Sequence, residues 1–286
     1  MRVVCLLLAA ALACTGREQP AVIPITTKIA LRYHPPAGAV YRYALEQTSR
    51  FAPDTASAAD SATLTSMTLA FSQTIGARAA DGVPVTVTLD SSGVASPMLS
   101  PAAAAAAAAQ LRGLRVTALF DDRLQLVRSD LSALNHLPVL VREQVQLGFR
   151  AAALPFPAQP VGSGDTWTNE TELPFAQLVG GTPLTVTSTI TVRAITVTRG
   201  DTTALLGVET AMPERPLRFN FGGQTVTVTL RGGITGEQVF SLSRGALLSG
   251  TLGGTIHLNV AGGFFGPQGM AMRVEQHAAT RLVETR

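Results

Sequence analysis

Hydrophobic and polar residues alternate with a period of two through most of the chain. Apolar side chains hold every second position in stretches such as 41–45, 67–71, 85–89 and 217–221, and threonines alternate with mainly apolar residues over 184–192. A strand points successive side chains to opposite faces, so this pattern gives one core face and one face toward water. Threonine suits the wet face because it is β-branched and polar. The pattern predicts a mainly β fold, a large curved antiparallel sheet or half-barrel.

Three details of the pattern predict local geometry. The alternation changes phase at Ala194–Ile195, and a one-residue phase change inside a strand indicates a β-bulge. Gly250 and Gly253–Gly254 interrupt a late apolar stripe and would let a long strand coil. Gly222–Gly223 can take the positive φ values of a two-residue hairpin turn. That turn would pair Phe221 with Gln224, Phe219 with Val226, and Leu217 with Val228.

Two segments have helical character. Ser100 is an N-cap residue, Pro101 suits the first helical position, and alanines follow over 102–109, so a short Ala-rich helix is predicted. In the segment 129–156 the apolar residues recur at spacings of three and four, which predicts a central helical insertion interrupted at Pro138. The apolar positions are Leu131, Leu134, Leu137, Leu140, Val141, Val145 and Phe149.

Similar landmarks occur in both halves of the chain. Three pairs of landmarks are separated by 126, 119 and 122 residues, and a near-constant offset is typical of an internal duplication. Any all-β chain with regular hairpins could also show such offsets. The duplication predicts β repeat 1 over 28–128 and β repeat 2 over 157–286, joined by the helical connector 129–156. The landmarks are the strand openings at 38–41 and 164–167, the turns at 81–82 and 200–201, and the hairpins at 120–124 and 242–246.

The N-terminus has the form of an export signal. Met1–Arg2 is positively charged, Val3–Ala13 is apolar, and the small residues Ala11-Leu12-Ala13 lead to Cys14. A charged start, a short apolar run and a small-residue exit are typical of a signal peptide. The sequence therefore predicts a signal peptide over 1–13 and a tether over 14–27 on a protein exported to the cell envelope. Cleavage by the ordinary signal peptidase, with Cys14 only nearby, is the alternative.

The charge and cysteine content of the chain argue against two classes of function. The formal net charge is +3, and the 21 arginines and single lysine are spread along the chain without the basic stripe of a nucleic-acid binder. Both cysteines lie in the first 14 residues, so the body after Cys14 cannot form a disulfide or a thiolate metal site. These observations argue against a nucleic-acid partner and against thiol chemistry.

The chain resembles known bacterial lipoproteins at several points. Ala11-Leu12-Ala13-Cys14 is similar to a lipobox, in which the cysteine becomes the lipidated first residue. Together with the opening strand at Tyr41 and the run Pro-Val-Gly-Ser-Gly-Asp-Thr-Trp at 160–167, it resembles a family of uncharacterised bacterial lipoproteins with a β-rich domain of unknown function. The architecture is also distantly similar to half-barrel envelope lipoprotein carriers, whose concave sheets hold acyl chains. These resemblances imply lipidation at Cys14 and no particular activity.

Catalytic motifs are missing from the sequence. No nucleophile elbow, phosphate loop or dinucleotide fingerprint occurs, and Asp121–Asp122 falls where a hairpin should turn. We predict no catalytic residue, no metal site and no cofactor. The histidines are scattered without metal-ligand spacing, at His34, His136, His257 and His277.

Aromatic residues stand out at two places in the sequence. Trp167, the single tryptophan, begins an apparent strand and is predicted to anchor the core. Phe264 and Phe265 lie on a glycine-rich loop, where they could contact a ligand, a partner or lipid, or fold back on the sheet.

The leading functional hypothesis is a lipid-anchored, non-catalytic envelope protein, on the periplasmic side of a membrane or at the cell surface. Its curved sheet would bind an apolar ligand or a protein partner. A structural surface lipoprotein without a ligand is the alternative, and an envelope hydrolase is a weaker one.

Overall fold

The structure is a computed structural model. It describes residues 23–54, 62–97, 99–135, 154–173, 184–221, 224–266 and 269–286.

The described chain forms one antiparallel sheet and one α-helix. The mainly β prediction is therefore confirmed, and the sheet is open rather than closed into a barrel. The helix is α1 (Pro101–Leu111). The strands are β1 (Ile23–Pro24), β2 (Val40–Pro53), β3 (Thr63–Ile75), β4 (Val83–Ala95), β5 (Arg115–Phe120), β6 (Leu126–Asp130), β7 (Thr166–Leu173), β8 (Leu184–Thr198), β9 (Asp201–Phe221), β10 (Gln224–Ser241), β11 (Ala246–Gly262) and β12 (Met270–Thr285).

The sheet consists of two meanders placed side by side. The strand order is β6-β5-β4-β3-β2-β12-β11-β10-β9-β8, and β1 and β7 both pair with the outer edge of β8. The meanders join where β12 pairs with β2, which brings Tyr41 opposite Thr285. The proposed repeats thus share one sheet, and the duplication itself stays a prediction.

Several local predictions are confirmed. The register of β8 against β9 shifts between Val192 and Ala194, at the predicted bulge. The Ser100 side chain accepts a hydrogen bond from the Ala103 amide at 3.2 Å, and Pro101 begins α1. The β9–β10 register is the predicted one, with Phe221 opposite Gln224, Phe219 opposite Val226, and Leu217 opposite Val228.

The predicted helical connector is described only at its two ends. Strand β6 extends through Ser129 and Asp130, the first two residues of that segment, and a 3-10 helix spans Ser132–Leu134. Residues 136–153 lie outside the described residues, as do residues 1–22 with the predicted signal peptide and Cys14.

The two ends of the sheet differ in how they are packed. We call the end with the β3–β4, β5–β6, β8–β9 and β10–β11 connections the closed end, and the opposite end the open end. One core cluster at the closed end combines side chains from both meanders, so the sheet curves and brings its apolar face together. Its largest fully buried members include Tyr41, Ile75, Ile190, Ile195 and Leu206.

Residues 25–38 form a strap across the closed end. The Ile25 amide donates to the Ile195 carbonyl at 2.8 Å, and the Tyr33 amide donates to the Asp122 carbonyl at 2.7 Å. Those two carbonyls belong to β8 and to the β5–β6 turn, near opposite edges of the sheet. Leu31, between them, is completely buried. The strap therefore ties the two edges together and covers the core cluster.

Candidate functional site

The inner face of the sheet, the face that carries the core, has almost no charged residues. Residues that lie opposite each other in register are on the same face of a sheet. The inner face therefore extends from Tyr43 to Leu282 on β12 in one direction and to Phe71 on β3 in the other, and from there to the neighbouring strands. Every side chain that the structure describes on this face is apolar, a glycine, or a neutral polar residue. The register places one charged residue, Arg215, at an inner-face position, opposite Leu230. Away from Arg215, such a face can accept an apolar molecule without burying a charge.

At the closed end, aromatic rings fill the inner face. Tyr43 stacks on Phe71 with ring centroids 5.1 Å apart, and Tyr33 meets Phe120 edge-on at 6.0 Å. The Tyr41 hydroxyl donates to the Arg244 carbonyl at 2.6 Å. Burial raises the pKa of Tyr33 and Tyr43, and neighbouring tyrosines add to both shifts. The inner face at this end is packed as a core.

Toward the open end, the inner face stays apolar but is only half-buried. No described second layer of strands covers it, since β2–β4 and β10–β12 belong to the same sheet. We call these residues the apolar band. It consists of Leu45, Phe51, Met67, Leu69, Val94, Val228, Leu230, Ile234, Leu252, Ile256, Leu258, Val260 and Met272.

Neutral polar residues interrupt the inner face, and Gln47, Ser49 and Gln276 lie among the residues of the apolar band. Ser188 and Thr210 hydroxyls lie 2.7 Å apart across β8 and β9, and the Thr65 hydroxyl donates to Ser96 at 3.1 Å. Because these hydroxyls satisfy one another, they do not demand water or a charged partner. They leave the inner face compatible with an apolar ligand.

Two shallow cavities lie away from the apolar band. One, of about 510 Å³, is at the closed end and is lined by Pro36, Tyr41 and Arg244 among others. The other, of about 430 Å³, is lined by residues that include Arg50 and Glu275. The band itself is an open surface, which suits an elongated molecule lying along the strands better than a compact one.

The predicted contact residues Phe264 and Phe265 lie at the open end. They belong to a 3-10 helix, Gly263–Phe265, which connects β11 to β12. The Phe265 side chain is 38% exposed. The side chain of Phe264 lies outside the described part of the structure. Cys14, the predicted lipidation site, also lies outside it.

Trp167 packs against the closed-end core, as the sequence predicts. Its ring is partly buried beside the cluster, and its indole Nε1 donates to the Pro155 carbonyl at 2.9 Å. This bond fixes the start of β7 against the segment that leads into it.

The Asp121–Asp122 pair acts in a turn. Asp121 Oδ1 accepts hydrogen bonds from the Arg123 and Gln125 amides at 2.9 and 2.8 Å. Asp122 pairs with Arg32 of the strap at 3.4 Å. Each carboxylate therefore has a structural partner. Among the residues that the structure describes, no group of three or more His, Cys, Asp or Glu could hold a metal ion.

Sequence reasoning missed a histidine–aspartate hydrogen bond on the outer face. His257 Nδ1 lies 2.8 Å from Asp54 Oδ1, and the Asp54 amide donates to the Ala271 carbonyl at 3.0 Å. The two partners are 203 residues apart in the chain, so no local signal could have linked them. The pair fastens the end of β2 to β11 and β12.

Comparisons with known proteins give little information. No family model matches the chain, and no curated protein matches it. A solved structure of lipid–protein interactions in lipovitellin is similar over 89% of this chain and 26% of that chain, with 12% identity and a TM-score of 0.47. The present chain thus spans about a quarter of that protein. Within the described segments, no helix is long and apolar enough to cross a membrane.

Proposed function

We propose that this is an exported, lipid-anchored and non-catalytic envelope protein that binds an apolar ligand on the inner face of its sheet. The apolar band is the observation that supports binding. It places half-buried leucine, isoleucine, valine, methionine and phenylalanine side chains on one mainly uncharged surface that spans both meanders. Export and anchoring rest on the sequence around Cys14.

The side chains of the apolar band leave apolar area in contact with water. Covering such area contributes about 25 cal/mol per Å², and contiguous exposed apolar patches mark binding sites in soluble proteins. At the closed end, side chains from other parts of the chain cover this same face and bury it. At the apolar band, a ligand would supply that cover.

Native mass spectrometry of protein purified from its own membranes tests the proposal. Copurifying lipid or another apolar molecule would support it. A stoichiometric protein would show that the inner face binds a partner instead. A bare chain, with no mass added beyond an acylated Cys14, would favour a structural surface protein.

Replacing Leu69 by asparagine should weaken binding of a fluorescent fatty acid about tenfold, because it removes apolar contact worth roughly 1.5 kcal/mol. Leu69 lies on the inner face of β3 and is half-buried. Leu64→Asn is the matched control, since Leu64 lies on the other face of the same strand and is 55% exposed. Fluorescence titration of both variants measures the difference. Equal affinities would show that the probe does not bind the inner face.

Replacing Cys14 by serine should release the protein from membranes or stall its processing. One acyl chain holds a protein only marginally, whereas two or more hold it firmly, and bacterial lipoproteins resemble the second case. Wild-type protein should therefore resist a salt wash and partition with detergent, and Cys14→Ser should not. A variant that is cleaved and retained like wild type would mean that Cys14 is incidental.

A further inference from the structure

The open end carries hairpins that extend past the strands beside them. β2 ends at Pro53, opposite Met272 of β12, and β8 begins at Leu184 near the middle of β9. The ends of β9–β10 and of β11–β12 therefore extend beyond the described parts of β8 and β2, and among their residues only Met272 and Arg273 still pair with β2. We call this part the projecting sheet. It comprises residues 212–221, 224–231, 257–266 and 269–273.

The projecting sheet is amphipathic. Leu217, Val226 and Leu230 lie on its inner face with Leu258 and Val260. On the other face the register places Arg218 opposite Thr227, and Arg231 opposite His257. At its tip, Phe265 is 38% and Met270 42% exposed. Apolar tips beside a polar face are a feature of proteins that lie in the interface of a bilayer.

The projecting sheet has a positive net charge. Its segments contain Arg215, Arg218, Arg231 and Arg273, and one carboxylate, Glu214. Two carboxylates at its base are already engaged, since Asp54 pairs with His257 at 2.8 Å and Glu275 with Arg273 at 3.2 Å. Arg218 and Arg231 are exposed on the outer face.

The closed end contrasts with this arrangement. Most arginines there pair with a carboxylate, as in Arg42–Glu284 at 2.9 Å, Arg128–Asp81 at 3.2 Å and Arg244–Asp201 at 3.2 Å. Basic residues that face a surface without acidic neighbours are attracted to anionic lipid headgroups. The charge asymmetry thus coincides with the exposed apolar tip.

We propose that the projecting sheet docks on the surface of an anionic lipid bilayer. Phe265 and Met270 enter the headgroup region, and Arg218 and Arg231 meet the lipid phosphates. This surface is separate from the acyl group predicted at Cys14 and does not depend on a ligand in the apolar band.

Vesicle binding of the full chain carrying Cys14→Ser tests this proposal, because that chain has no acyl group at residue 14. We expect stronger binding to vesicles with about one third phosphatidylglycerol than to pure phosphatidylcholine, with the difference lost in high salt. Arg218→Ser with Arg231→Ser should weaken binding about 25-fold at low salt, or about fivefold per arginine. Phe265→Ser should weaken it about tenfold.

A matched control isolates the surface. Arg218→Ser with Phe265→Ser removes one arginine and one exposed apolar side chain, and so does Arg281→Ser with Val283→Ser at the other end of β12. Val283 is 59% exposed, so its loss should leave the fold intact. We expect the first pair to lose vesicle binding and the second to keep it. Equal losses in both pairs, or equal binding to neutral vesicles, would overturn the proposal.

A tryptophan reporter covers the case in which a variant is poorly folded. Phe265→Trp should show blue-shifted emission on addition of anionic vesicles, against a constant signal from Trp167 near the closed end. An emission shift that depends on protein concentration without vesicles would instead indicate a contact between two copies of the chain and would overturn membrane docking.

Discussion

Replacing Gly254 by alanine should destabilise the protein by about 3 kcal/mol or more, because overpacked sites force backbone shifts. A Cβ at Gly254 would overlap the Gly233 carbonyl of the neighbouring strand, and its next contact, the Ile234 Cα, would be at 2.8 Å. Backbone atoms cannot move aside as a flexible side chain can. Thermal unfolding followed by circular dichroism measures the loss.

The adjacent glycine is a matched control. A Cβ at Gly253 would meet nothing closer than the Gln276 carbonyl at 3.5 Å, an ordinary contact. Gly253→Ala should therefore be neutral or stabilise slightly, because alanine loses less conformational freedom than glycine. Equal unfolding temperatures for the two alanine variants would contradict the close approach of β10 to β11 at Gly254.

This close approach explains why the glycines of the last third matter. Gly232 and Gly236 likewise sit against the carbonyls of Thr255 and Thr251, so β10 and β11 approach each other at several places where no side chain intervenes. The sequence predicts coiling at Gly250 and Gly253–Gly254 from their positions alone. It does not show that Gly254 is constrained while Gly250 and Gly253 are not, because that depends on the opposite strand.

The features predicted correctly are local ones. The β9–β10 register follows from a two-residue glycine turn, because alternation on both sides leaves one pairing that keeps the apolar residues together. The N-cap at Ser100 and the bulge near Ala194 likewise depend on a few neighbouring residues. Each interaction spans only a few residues of the chain.

The joining of the two meanders could not be predicted in this way. β12 pairs with β2 across more than 200 residues, and the strap binds the β5–β6 turn through the Tyr33 amide and the Arg32 side chain. No sequence pattern near these residues specifies either partner. The hydrophobic alternation is also the same whether or not a second layer covers the apolar face. The half-exposed band therefore emerges only from the structure, although Phe264 and Phe265 at its open end could be singled out by their glycine-rich setting.

At alkaline pH the protein should unfold over a narrow pH range, and all three tyrosines should ionise together as it unfolds. The chain has three tyrosines, Tyr33, Tyr41 and Tyr43, and all three are buried at the closed end. Burial, as the largest cause, raises the pKa of each above its ordinary value, so the folded state favours the neutral phenol.

The sign of the pH dependence follows from that shift. A group whose folded pKa is raised contributes full stability below its unfolded pKa, about 10 for tyrosine, and loses it as the pH rises further. Each tyrosine then costs about 1.4 kcal/mol per pH unit, so three acting together remove most of a typical stability within two or three units. Tyrosinate absorbance should stay flat above pH 10 until circular dichroism reports unfolding, and then rise in one step.

Tyr33→Phe should move that step to higher pH, since one ionisable group is lost while the ring packing against Phe120 is kept. Gradual ionisation of the tyrosines near pH 10 in a protein that still gives the folded spectrum would contradict the buried closed-end core.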